Sequence, residues 1–473
     1  MSGAGLAMFA LALLGIVMTG LPVYAVLLAV AALFSLFGVA AGAFDASLLG
    51  ALPFRIVGLL EHDLLQALPL YALIGAMLNR LPLAQTLHRA TMRLFSRSPA
   101  APELSALAVG ALLAPMNGSV GASLHMLSRG IAPALREHGT SPQRTAATVC
   151  VASTLGVVIP PSLVLLLLGD AMMRAHTEAV NATQAAVRIV NTQDVVRAAF
   201  LPGIAVLLLA CAAVAWRGRH AAPTEREPLP CSDAWTAIGV AAVIVALLCG
   251  VALGWFYAVE AAAMGGVLLF ATALARRQMN LATIRLVLGD TMALTGALLA
   301  LLVAATAFSL VLRAFGTDRL IAQALQSLSA YPSVLLLAVL AGIMACSFVL
   351  DAFEMIFLVI PLVMPPVLAS VNDAAWVAAL VLLVLQLGFL LPPVGYALVM
   401  SRVLLREPVR TRELAAALWP QWLAQIVLIV AVLVFPQVTT WLRPDGPSAS
   451  IQPVDEADAN RRMEEAIKAQ RAP

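Results

Sequence analysis

Charge is what this sequence has least of. Only 11% of its 473 residues are Asp, Glu, Lys or Arg, against about 25% in soluble domains. Met1–Phe44 and Leu320–Leu350 carry none. That scarcity excludes a soluble globular domain. Lysine is reduced to Lys468, and the net charge of +3 is spread through loops, with no sign of a nucleic-acid partner. The five cysteines (Cys150, Cys211, Cys231, Cys249 and Cys346) show no CxxC spacing, so neither a metal site nor a disulfide framework is indicated. None of the six histidines forms HxxxH. A Walker sequence is missing. So are the roughly 10-residue alternating segments of a membrane β-barrel. Met1–Gly20 lacks a basic n-region and is expected to be a first spanning helix rather than a cleaved signal.

What is present is apolar: 62% of residues are hydrophobic and the mean hydropathy is +0.96. A spanning helix needs about 20 mostly apolar residues. The fold class expected is therefore an all-α polytopic membrane protein. Full spans are expected near 4–19, 22–40, 65–79, 145–173, 197–216, 234–253, 258–275, 289–312, 376–401 and 419–442. Two further apolar regions are interrupted. Leu104–Leu127 breaks at Pro115–Ser119, "PMNGS", and Val334–Leu368 breaks at Leu350–Glu354, "LDAFE". A leading arm of about 13 residues rises only about 20 Å against a core of about 30 Å. Both regions are expected to enter the bilayer and turn back. Leu83–Phe95, Ile131–His138 and Arg410–Leu418 are expected at the interface.

Arginine supports this layout. With both regions re-entrant, 17 arginines fall in loops on one side and six in loops on the other. The rich side is cytoplasmic, and both termini face outward. The first hairpin then enters from the cytoplasm and the second from outside. Each precedes a segment broken by adjacent prolines, "STLGVVIPPSLVLLLLGD" at Ser153–Asp170 and "QLGFLLPPVGY" at Gln386–Tyr396. Such a pair of units is an inverted repeat, the frame in which carriers commonly place a binding site near the midplane.

Broken backbone survives at membrane depth only where protein buries it or a wet cavity meets it. Proline removes an N–H and leaves carbonyl oxygens free. Those oxygens suit a small cation, while half-helix N-termini suit anionic groups. The polar candidates cluster there. Asn117, Gly118, Ser119 and Ser123 lie in the first hairpin, and Ser153, Thr154, Gly156 and Ser162 lie around Pro160. Asp351 and Glu354 lie at the second tip, with Gln386, Gly388 and Gly395 around the second proline pair. Intramembrane acids commonly mark ion pathways. Glu260 reads as the cap of a helix start, Asp170 as solvated, and His125 as a packing histidine.

Ser153–Asp170, Phe348–Pro366 ("FVLDAFEMIFLVIPLVMPP") and Leu385–Leu398 ("LQLGFLLPPVGYAL") together resemble the large membrane subunit of the TRAP transporters, the tripartite ATP-independent periplasmic carriers. The similarity runs over roughly residues 5–442 and is closest to the mannitol/chloroaromatic branch. It implies a Na⁺-coupled elevator-type importer of an organic acid in the bacterial inner membrane, and no enzyme. It implies as partners a small four-helix membrane subunit and a periplasmic solute-binding protein. By the same resemblance, one Na⁺ site comprises Asn117, Gly118, Ser119, Ser153, Thr154, Gly156 and Pro160, and a second comprises Leu350, Asp351, Gln386, Gly388 and Leu391. No organic cofactor is implied, Na⁺ being the coupling ion. Substrate is expected against Ser123, Ser162, Glu354 and Gly395. This sequence departs from the family pattern at Leu391, where the family usually has Thr, and at Gly388, often a hydroxyl residue.

The expected organisation is scaffold at 1–97, a first transport repeat at 98–175, and scaffold at 176–330 with a linker at 217–231. A second transport repeat follows at 331–405, an interfacial helix and last span at 406–442, and a polar tail at 443–473. Alternative readings are a stand-alone Na⁺/dicarboxylate symporter of related fold and an intramembrane hydrolase using Ser119 with His125. The six-residue spacing of that pair points the two side chains apart on a helix, against the need of a serine nucleophile for a base in reach.

Overall fold

The two hairpins insert from opposite ends of the molecule, and one ion pair and one shared cavity wall establish it. The computed structural model describes residues 2–61, 63–160, 162–183, 190–219, 231–326, 331–371, 373–392, 395–405 and 409–441. Pro161, Pro393, most of the linker 217–231 and the tail 443–473 lie outside them. Helices make up the regular structure, with no strand among the described residues.

The first hairpin pairs Ala101–Leu113 with Val120–Gly130. Its leading arm has 13 residues, too short to cross. The second pairs Pro332–Cys346 with a returning arm, 352–368. Each is followed by a helix in two pieces. The first broken helix is Pro142–Val158 and Leu163–Thr183, bent by 41°. The second is Ala374–Leu390 and Tyr396–Leu405. At the base of the first hairpin, Arg144 at the start of the first broken helix grips buried Glu103 through two hydrogen bonds. At the other end of that broken helix, Glu178 and Ala182 share a cavity wall with Pro365, Ala369 and Ser370 of the second hairpin's base. The two bases therefore sit at opposite ends of one crossing segment.

Local chemistry explains the element ends. Ser141 accepts from Arg144 N–H, with Pro142 in the first helical position. Asp373 accepts from the N–H groups of Ala375 and Trp376. Asn191 and Asp194 form a capping box. Both breaks begin with an extended residue before proline: Ile159 at ψ 117° and Leu391 at ψ 136°. The proline ring drives its predecessor out of the helical region.

Among the described residues, five helices are long and apolar enough to cross a bilayer: Val23–Ala40, Thr192–Gly218, Ala258–Ala275, Leu281–Ala314 and Thr411–Val434. Ala67–Arg80 continues into the amphipathic Leu83–Leu94 after a 71° turn. The pieces Pro142–Val158 and Ala374–Leu390 pack against each other and are buried almost throughout. They form the centre of the molecule.

Four expectations change. Arg410–Leu418 is no separate interfacial stretch, because Thr411–Val434 is one helix that carries Pro420 inside it. The span expected at 289–312 extends to Leu281–Ala314. Helices at Ala51–Leu60 and Thr317–Gln326 were not expected, since both are short and the second is amphipathic rather than apolar. Asp170 is paired with Arg174 at 2.9 Å rather than simply solvated. Glu260 does cap its helix, accepting from Tyr257 N–H at 2.9 Å.

Candidate functional site

Proline chemistry opens the site. In an unbroken helix, Gly156 and Gly388 would each receive an N–H four residues on. Pro160 and Pro392 stand there and have none. Both glycines also sit where a tip comes closest. A Cβ on Gly156 would lie 2.6 Å from the Ala114 carbonyl oxygen, at the first tip. A Cβ on Gly388 would run into Ser347 Oγ, at the second. Each break is thus pressed against its own hairpin through a residue without a side chain.

The first tip turns at Gly118, φ +75°, a left-handed conformation that glycine takes without strain. Ser119 caps the returning arm by accepting from Ala122 N–H. Ser153 and Thr154 are fully buried, and their hydroxyls donate to the carbonyls of Cys150 and Val151. Their oxygen lone pairs stay available. Gly118, Ser119, Ser153, Gly156 and Ser162 line one closed crevice, too narrow for a water-sized sphere. Of the residues expected in the first ion site, Asn117, Thr154 and Pro160 do not line it. The Asn117 side chain instead sits beside Met126, with Nδ2 to Sδ at 3.4 Å and Oδ1 bonded to nothing.

At the second tip, Asp351 and Glu354 form a capping box that starts the returning arm. Glu354 accepts from Asp351 N–H at 2.9 Å, and Asp351 Oδ1 is buried without a partner. Leu350 is fully buried and donates back to Cys346. Gln386 is not brought to this tip. Its Oε1 accepts from Gln425 of the last spanning helix at 3.0 Å. Two residues along a helix are about 200° apart around it, so Gly388 faces the hairpin and Gln386 faces away.

The four residues expected against substrate all have internal bonds. Ser123 donates to the carbonyls of Ala114 and Ser119. Ser162 accepts from Leu165 N–H, Glu354 is the cap just described, and Gly395 N–H donates to Leu391. Ser119 and His125, the pair of the hydrolase reading, share no bond among the described residues; Ser119 is engaged as a cap. His125 lines a cavity rather than filling a packed core.

Tyr396 is the residue the sequence hid. Its hydroxyl lies 3.0 Å from where a Cβ on Gly121 of the first hairpin would be. It is also in electrostatic reach of Asp351 and Glu354 at the second tip. One phenol therefore stands between the two hairpins. Trp422 and Gln425 were also missed; they donate to the carbonyls of Leu390 and Leu383 on the second broken helix. An aromatic or an amide in an apolar run gives no periodic signal, and its partner is set by tertiary contact.

The comparisons agree with this architecture. The family model of the tripartite ATP-independent periplasmic transporter, DctM component, matches residues 9–438. The C4-dicarboxylate TRAP transporter large permease protein DctM of Rhodobacter capsulatus is 22% identical over 80% of this chain and 87% of its own. The 2,3-diketo-L-gulonate TRAP transporter large permease protein YiaN of Escherichia coli is 21% identical over 71% and 76%. The crystal structure of the Alcanivorax borkumensis YdaH transporter shares the fold, with a TM-score of 0.59 at 17% identity over 85% of this chain and 91% of that one. The chain belongs to the DctM family and is the large membrane subunit of a TRAP transporter.

Proposed function

We propose that this permease imports an organic acid against its gradient, coupled to Na⁺ and moving as an elevator in the bacterial inner membrane. A small membrane subunit and a periplasmic binding protein are the partners the family implies in general. Here the binding protein delivers the substrate from outside. The mobile unit is 98–175 with 331–405, and the remaining helices form the scaffold. The mannitol/chloroaromatic branch fits the motifs around both breaks.

The observation that carries this reading is the pair of breaks. Each removes the N–H four residues after a glycine, so that the Gly156 carbonyl loses its helical donor and the Gly388 carbonyl keeps only a long bond from Leu391 N–H at 3.3 Å, and each glycine is pressed against the tip of its own hairpin. Unwound carbonyls and half-helix ends are the groups that hold coupling ions in carriers of this construction. The first Na⁺ falls in the crevice of Gly118, Ser119, Ser153 and Gly156. The second falls near Leu350, Asp351, Gly388 and Leu391, where Asp351 Oδ1 has no protein partner. Gln386 contributes from behind through its packing on Gln425. Cargo binds between the tips, where Tyr396 stands.

The test is uptake into proteoliposomes holding the large and small subunits, with the binding protein outside. An imposed Na⁺ gradient drives accumulation, and equimolar K⁺ at clamped potential does not. Equal uptake in K⁺ would refute Na⁺ coupling. Uptake that persists without the binding protein would favour the stand-alone symporter.

A further inference from the structure

A groove of about 520 Å³ lies between the helix pair Cys231–Leu253 and Ala258–Ala275 and the scaffold helix Ala67–Arg80, with Met116 of the first hairpin's tip in its wall. Its floor is buried at Ile74 and Leu78, while its rim is open: Val243 is 36% exposed and Leu268 46%. Ile238, Val245 and Val267 on the same two helices are bare apolar side chains. The groove therefore opens toward lipid.

Its length is that of one leaflet. Trp235 to Leu247 is about 18 Å of helix, and half of the hydrocarbon core is about 15 Å. Trp235 and Arg276 mark the cytoplasmic end, because the linker 217–231 and the loop from Arg276 to Arg285 belong to the arginine-rich side. The deep end is apolar, at Ile244, Leu247 and Gly265. At the mouth the Thr272 hydroxyl is spent on the Leu268 carbonyl at 2.6 Å, which leaves donation to the Trp235 indole and the Arg276 guanidinium.

Two features of the backbone point to an occupant. Gly239 lies inside Cys231–Leu253, where a glycine weakens a helix. A Cβ there would meet no atom within 4 Å, so no neighbouring helix requires the glycine; it keeps the groove open. Arg277 has φ 56°, the one left-handed residue other than glycine among the described residues. Glycine is the usual residue at that position after a helix. A side chain held there against its preference marks a use for it.

We infer that the groove holds one acidic phospholipid of the cytoplasmic leaflet, its acyl chain along the groove and its phosphate on Arg276 and Arg277 beside Trp235. A partner's helix 10 Å across and 18 Å long would displace about 1,400 Å³, far more than the space present, whereas a single hydrocarbon chain is thin enough. The chain itself gains little by leaving other lipid tails, so the headgroup sets residence. A guanidinium matches a phosphate through paired hydrogen bonds, basic pockets between helices on this side suit acidic headgroups, and tryptophan favours headgroup depth. Through Met116 the lipid touches the first hairpin. That contact bears on transport only under the elevator reading; the binding does not depend on it.

The test is lipid binding to the purified complex of large and small subunits, stripped by detergent washing and titrated with palmitoyl-oleoyl phosphatidylglycerol or the phosphatidylethanolamine of the same chains. Native mass spectrometry counts bound lipid. One phosphatidylglycerol per large subunit is expected to bind about tenfold more tightly than phosphatidylethanolamine, the scale set by nearby arginines. Gly239→Leu fills the groove and abolishes this site, while Gly239→Ala keeps it. Arg277→Gly, which relaxes the backbone, brings the two lipids toward parity without lowering the Tm of the lipid-free protein. Absence of a tight site, or a tight site unchanged in Gly239→Leu, overturns the inference. Equal affinity for the two lipids in the wild type overturns the headgroup contact. Release of the small subunit by Gly239→Leu would make the groove a protein interface and overturns the lipid. None of these readouts involves Na⁺ or uptake, so failure here and failure of the coupling reading are separate results.

Discussion

The hydroxyl of Tyr396 meets Gly121 at a point only 3.0 Å from where a Cβ would sit. That contact joins the second broken helix to the first hairpin, and so joins one repeat to the other. In the proposed elevator the two units travel together, and this is a place where they touch at the depth of the tips.

Gly121→Leu is therefore expected to abolish uptake while the protein still elutes as a monodisperse peak. Tyr396→Phe keeps the ring and loses one hydrogen-bonding group, for an expected rise of about fivefold in the transport KM. Unchanged uptake in Gly121→Leu would show that the contact is incidental.

Gly156→Ala is expected to destabilise by about 1–3 kcal/mol, the usual cost of overpacking. The new methyl meets the Ala114 carbonyl, which is backbone and cannot turn aside. Gly388→Ala is expected to cost less, because what it meets first is the rotatable Ser347 hydroxyl. Adding Ser347→Ala should recover part of that loss. Thermal unfolding of the detergent-solubilised protein, followed by tryptophan fluorescence, measures all three.

Gln425→Leu leaves the buried Gln386 side chain without its bond, for an expected loss of about 1–3 kcal/mol. The double variant Gln386→Leu with Gln425→Leu removes both polar groups and is expected near wild-type stability. Its uptake should remain Na⁺-dependent, because Gln386 faces the last spanning helix and not the second tip. Loss of Na⁺ dependence in a stable double variant would return Gln386 to the ion site.

Ser153→Ala is expected to raise the Na⁺ concentration for half-maximal uptake about tenfold, as losing one group around a metal site commonly does. Thr154→Val should leave it unchanged, since Thr154 does not line the crevice. Both hydroxyls donate to carbonyls one turn back, so the two substitutions cost the helix similar amounts. Equal effects on Na⁺ would argue against the crevice.

His88 lies on the amphipathic helix that turns 71° away from Ala67–Arg80, outside the spanning segments. Burial, and then the charge of His138, push its pKa down from 6.5 to about 4. Nδ1 faces Ser105 Oγ at 2.8 Å, and Nε2 has no partner. The unfolded chain binds this proton more readily than the folded one between those values. Stability is therefore complete above pH 6.5 and falls as pH drops toward 4, by on the order of 3 kcal/mol. A Tm profile from pH 7.5 to 4 shows the slope, and His88→Gln flattens it.

Much of this arrangement was legible without coordinates. The short arm before "PMNGS" could not cross, so it had to turn back. The Pro160 and Pro392 positions announced missing N–H groups, and the residue ahead of each is extended as a proline's predecessor must be. Arginine counts in the loops gave opposite insertion of the two hairpins, which the Glu103–Arg144 bond and the Glu178 cavity wall bear out. Glu260 was readable because a capping glutamate acts over three residues.

Partners across space were not legible. Gln386 and Gly388 stand two apart in the chain and looked like one cluster; helical rotation sends them to opposite neighbours. Asn79, Arg80 and Asp290 show nothing in sequence, being single polar residues at helix ends, yet they share a wall with Asn117 and Arg129. By itself the sequence decided where the chain spans, where it turns back and where its carbonyls lose their donors, because those follow from length, charge and proline chemistry within a few residues. Only the tertiary structure decided which tip meets which break and that Tyr396 stands between them. Those depend on packing between helices hundreds of residues apart, where one turn of rotation changes every neighbour.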